Sequence, residues 1–136
     1  MAEKHVSLEW QSRGLVFRGE GAGKVPITID GDNGEAPGPM ETLLLAMAAC
    51  TGSDVALVMT KKRLGLQSLR VEAHGRRRDE PPRRYTAIDL VYHVVAPGAT
   101  ETQVRHAIDL SLGKYCSVTH SLNPDIPVRY ELDLRA

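Results

Sequence analysis

The sequence predicts an α+β fold: small antiparallel sheets with a long central helix and a second helical segment. Three observations predict it. Short stretches towards both ends alternate apolar and polar residues, the period of a strand. The middle holds an apolar run with helix signals at each end. A later segment repeats apolar residues at helical spacing.

Taken in order, "HVSLEW" alternates from Val6 to Trp10 and is expected as a half-buried strand. "GLVFRG" and "VPITID" read as two more strands, separated by the glycine-rich turn "GEGAGK". The breaker-dense "GDNGEAPG", residues 31–38, ends this part. Residues 1–37 are therefore read as an N-terminal β-sheet segment and 38–136 as the helix–sheet core of a single domain. Pro39 suits a first helical turn, and Glu41 sits near the positive end of the helix dipole. That helix runs through "TLLLAMAACTGSDVALVMTKKRLG" to Gly65, behind a basic last turn. It is apolar on most sides from Leu43 to Ala49, so its first half is expected to be buried.

"SLRVEAHGRRR" and "RYTAIDLVYHVV" follow as two strands around the turn "DEPP". "TETQVRHAIDLSLG" carries a helical stripe of Val104, Ala107, Ile108 and Leu112, with Gly113 as its expected stop. "KYCSVTHSL" reads as a second short helix and "IPVRYELDL" as a closing strand. The order β-β-β-α-β-β-α-α-β implies helices packed on one sheet face.

A chain of 136 residues suits one core, and 42 % hydrophobic with 25 % charged residues is ordinary for a soluble protein. Basic and acidic residues balance at 17 each, which leaves no global field to recruit nucleic acid or a membrane surface. One Trp and one Phe make a base-stacking surface a poor fit. "MAEKHVSLEW" lacks the apolar run of a secretory signal, and Leu43 to Cys50 is far too short to span a bilayer. Two cysteines without a CxxC pair exclude a disulfide scaffold or zinc ribbon, and a cytoplasmic location is expected. His5, His74, His93, His106 and His120 show no metal-ligand spacing. "RRRDEPPRR" reads as a solvated turn with acidic neighbours Asp79 and Glu80.

The two cysteines admit two readings. Free cysteine often packs as a small hydrophobe. Yet Cys116 in "GKYCSV" follows a helix stop, with Lys114 two residues earlier, and both features favour thiolate. His120 shares the face of Cys116 one turn on. Cys50 has Asp54 at i+4, a carboxylate that raises a thiol pKa. A reactive Cys50 therefore requires an arginine beside it.

"GPMETLLLAMAACTGSDV" together with "KYCSV" resembles the osmotically inducible protein C and organic hydroperoxide resistance (OsmC/Ohr) superfamily, and most of all its OsmC-like branch. The resemblance covers nearly the whole chain. It implies an intertwined homodimer with sites at the subunit interface and no cofactor. It also implies a stress-response thiol peroxidase: Cys50 attacks an organic hydroperoxide, Cys116 resolves the sulfenic acid as a disulfide, and a dithiol reduces it. The family arginine comes from the N-terminal strands, where Arg18 is the nearest match and Arg13 the competing choice. Met40 stands where the hydroperoxide reductases have glutamate; Glu41 points about half a turn away from Cys50 on an ideal helix. Asp54 is the candidate substitute for that glutamate. Leu43, Leu44, Met47 and Val118 are expected to supply apolar walls for an organic substrate. The rival readings are a non-catalytic dimer that binds an apolar ligand, and a redox-responsive protein without useful turnover.

Overall fold

The computed structural model describes residues 2–136, and the elements occur in the expected order. They are β1 (Val6–Trp10), β2 (Val16–Gly21), β3 (Ile27–Asp30), α1 (Pro39–Lys61), β4 (Ser68–Arg77), β5 (Tyr85–Val95), α2 (Glu101–Leu110), a π turn (Ser111–Tyr115), α3 (Ser117–Ser121) and β6 (Val128–Arg135). Residues up to Leu43 form one compact unit and Leu44–Ala136 a second.

In the N-terminal unit, β1, β2 and β3 form an antiparallel meander in chain order. The loop after β3 is tied by one side chain. The Asp30 carboxylate accepts hydrogen bonds from the backbone N–H groups of Asp32, Gly34 and Glu35. Those donors hold its carboxyl below the usual range. The expectation of a half-buried β1 is corrected: the strand is exposed along its whole length. Val6, Leu8 and Trp10 are 74, 57 and 54 % exposed. Alternation puts them on one face, and the chain leaves that face uncovered.

In the second unit the sheet order is β4-β5-β6. The β4–β5 hairpin is antiparallel, but β6 runs parallel to β5. A parallel neighbour needs a long crossover, which α2, the π turn and α3 provide. Ile88, Leu90, Tyr92 and Val94 alternate along β5 as core residues. The helices occupy that face: Thr51 of α1 bonds Tyr92, and Tyr130 of β6, edge-on to Tyr92, donates its hydroxyl proton to Asp109 of α2. Helix α2 opens on a capping box in which Thr100 and Gln103 satisfy each other's backbone N–H groups. It buries Val104, Ala107 and Ile108, as its stripe predicts.

Helix α1 buries a narrow stripe of Met47, Thr51, Val55 and Met59, one residue per turn. The expected burial of its first half is corrected: between Leu43 and Ala49 only Met47 is buried. Leu45 and, further along, Leu57 are 58 and 54 % exposed. One chain covers one side of a helix that is apolar on several. Helix α1 has 23 residues and contains an 18-residue window with a mean hydropathy of 1.7, so by length and composition alone it could cross a membrane. Its hydrogen bonds to Tyr92 and Ser111 fasten it instead as a core helix of this fold.

Gly113 does not stop the helical segment that contains it. The chain passes through it in the π turn, where the Cys116 N–H reaches back five residues to the Ser111 carbonyl at 2.7 Å.

Candidate active site

Helix α1 sets Cys50, Thr51 and Asp54 within about one turn, with Asp54 on the Cys50 side and Thr51 facing the core. Opposite lies Ser111, the first residue of the π turn, fully buried like Thr51 and Tyr92. Ser111 Oγ is 2.8 Å from both Thr51 Oγ1 and Asp54 Oδ2, and Thr51 Oγ1 is 2.8 Å from the Tyr92 hydroxyl. A carboxylate only accepts, so the single Ser111 proton goes to Asp54. The Thr51 proton then serves Ser111, and the Tyr92 proton serves Thr51. Three buried hydroxyls thus end on one carboxylate. Burial pushes the Tyr92 phenol up to about 12, against the pull of its Thr51 hydrogen bond, which keeps it a donor.

The π turn delivers Cys116 as the cap of α3, completely buried. Cys50, whose own side chain is half-buried, is close enough to act on the Cys116 thiol. The expected thiolate character of Cys116 is corrected. Burial, reinforced by Cys50, pushes its thiol up, while Thr119 pulls the other way. The Lys114 ammonium sits 5.2 Å from the Tyr115 ring centroid. His120 is exposed; its backbone N–H bonds the Cys116 carbonyl. The group touching the sulfur is Thr119, whose hydroxyl donates at 2.9 Å.

A cavity of about 550 Å³ opens beside Thr119, walled by Leu112, Leu122, Ile126, Val128 and Tyr130. Of the walls expected for an organic substrate, Met47 is 1 % exposed and belongs to the core instead. Leu43, Leu44 and Val118 are half-buried.

The arginine candidates both sit in the N-terminal unit. Arg13 is committed: its Nε and Nη2 grip Glu35 at 3.0 and 2.8 Å, a bidentate pair. Arg18 on β2, across from Glu9 in register, carries no ion pair among the described residues. It lines a groove of about 450 Å³ with Glu9, Gln11 and Glu20. In the arginine-rich turn, Arg76 pairs with Asp89 and Arg84 with Asp125 on the surface. Among the described residues, no group of His, Cys, Asp and Glu is arranged to hold a metal ion.

Two three-stranded sheets and a long apolar helix, with two cysteines outside any disulfide, define an α+β protein. Residues 31–131 match the family model of OsmC-like proteins, and the chain belongs to that family. It is 36 % identical over 124 residues to protein YhfA of Escherichia coli strain K12, across 90 % of this chain and 92 % of that one. The crystal structure of an OsmC-like protein from Mycoplasma pneumoniae superposes with a TM-score of 0.84 at 18 % identity, over 99 % of both chains. The organic hydroperoxide resistance protein OsmC of Legionella pneumophila shares the fold at a TM-score of 0.67 and 12 % identity, over 98 % of both chains. The chain therefore stands closer to YhfA and OsmC-like proteins than to the hydroperoxide-resistance group.

Proposed function

We propose that this chain is a cytoplasmic, homodimeric thiol peroxidase acting on organic hydroperoxides, built as one domain over residues 1–136. The observation that carries the reading is that Cys50, half-buried on α1, is close enough to act on the buried Cys116 thiol. In the reaction, the Cys50 thiolate attacks the terminal oxygen of the hydroperoxide. The O–O bond breaks, the alkoxide leaves and takes a proton as the alcohol, and Cys50 becomes a sulfenic acid. Cys116 displaces hydroxide from that sulfur, giving a disulfide and water. A dithiol of the dihydrolipoyl type reduces the disulfide and ends as its own cyclic disulfide.

Arg18 is the cation for the Cys50 thiolate, since Glu35 already holds Arg13. Asp54 does not take over the orienting of an arginine in this reading, because its carboxylate is engaged by Ser111. The homodimer is supported by uncovered apolar surface on α1 and β1. The test is consumption of tert-butyl hydroperoxide with dihydrolipoamide as reductant. Cys50→Ser is expected to abolish consumption. Cys116→Ser is expected to complete one turnover and then gain the mass of a sulfinic acid on Cys50. Undiminished turnover in Cys50→Ser would remove the mechanism.

A further inference from the structure

Cys116 is poorly equipped to attack anything. Its side chain is completely buried, and the cation nearest in sequence, Lys114, lies over the Tyr115 ring. The titratable groups that act on it from neighbouring elements are Cys50 of α1 and Tyr92 of β5, and neither brings positive charge. Thr119, the third residue of α3, supplies the donors that favour its charged form: the hydroxyl, donating to Sγ at 2.9 Å, and beside it the backbone N–H.

We propose that Thr119 is a catalytic residue of the disulfide-closing step, its hydroxyl carrying the negative charge that builds on Cys116 Sγ during attack on Cys50. The inference rests on the paired-thiol reading of the proposed function. Cys50 acts on the Cys116 thiol while Thr119 donates to the same sulfur. As the S–S bond forms, the S–O bond of the Cys50 sulfenic acid breaks. The Cys116 proton passes to the departing hydroxide, giving water. Cys116 is oxidised and the Cys50 sulfenic sulfur reduced, each ending as a disulfide sulfur, so no further reagent is needed. At a buried sulfur, a fixed donor is worth more than it would be in water. Burial raises the Cys116 thiol and the Thr119 hydroxyl opposes it, in keeping with this role.

The test separates closing from peroxide chemistry by using diamide, which oxidises dithiols without a sulfenic acid. Reduced protein is mixed with diamide, quenched with acid at intervals, and mapped for free Cys50 and for the Cys50–Cys116 disulfide across a pH series. Thr119→Val, close in shape but without a donor, is expected to consume Cys50 at the native rate. It is expected to slow disulfide closure about tenfold or more, with the pH profile displaced upward. Thr119→Ser is expected to restore both. Native-like closure and an unshifted profile in Thr119→Val would overturn the proposal, as would a native protein that forms no intramolecular disulfide. Normal diamide behaviour in a protein that leaves tert-butyl hydroperoxide untouched would sink the peroxidase reading alone and leave Thr119 in its role.

Discussion

At the residue scale, Ser111 has one proton and two neighbours, Asp54 and Thr51, each at 2.8 Å. Removing it leaves a carboxylate and a buried hydroxyl each short of a partner. Ser111→Ala is therefore expected to lower stability by about 1–3 kcal/mol, read as a lower urea midpoint at unchanged slope. Tyr92 at the far end gives a pH signature. Its phenol is raised from 10.0 to about 12, so the folded protein keeps a proton that the unfolded chain releases. Linkage sets the sign: this contribution is fully present below pH 10 and is lost as pH climbs towards 12. Native protein is expected to lose up to about 1.4 kcal/mol per pH unit in that window from this group. Urea titrations of Tyr92→Phe are expected to show a correspondingly flatter decline, and an identical decline would contradict the shift. Little of this network is legible in the sequence, because Thr51 meets residues 41 and 60 positions away, and sequence carries no mark of such pairs. Cys50 and Cys116 stand out by motif. Thr119 leaves a faint signal, three residues after a cap position, where side chains commonly face the cap.

At the element scale, order and approximate bounds are readable from period and punctuation, since apolar alternation and helical stripes are local properties. Two features escape. The parallel β5–β6 pairing depends on how the crossover packs, not on the strand residues. The π turn depends on a one-residue surplus that only the 111-to-116 hydrogen bond reveals, and Gly113 reads locally as a stop. The surplus sets where the chain leaves the α2 segment and so where Cys116 stands as the cap of α3. Deleting Gly113 returns this stretch to ordinary helical register and rotates the residues beyond it by about 100°. The deletion is expected to retain helical circular dichroism yet fail to form the diamide disulfide. Closure at the native rate would mean that the π turn has no part in presenting Cys116.

At the scale of the whole molecule, the outward surfaces are at odds with a chain that works alone. Helix α1 leaves Leu45 and Leu57 more than half exposed, and β1 offers Val6, Leu8 and Trp10 on one face. A helix apolar on several sides is stable in water only where other sides are also covered. A second copy is the occupant that the family resemblance implies. Substitution tells the cases apart. On a free helix surface, Leu45→Glu and Leu57→Glu change stability by about 0.5 kcal/mol or less. Buried between copies, each charge costs several times more than that unless it finds a partner. Sedimentation velocity at micromolar concentration is expected to show the native protein at twice the chain mass, and the double variant at the mass of one chain. The variant is also expected to lose most of its turnover if the site needs both copies. A native protein that sediments as a single chain would remove the dimer and, with it, the reason for so much uncovered leucine.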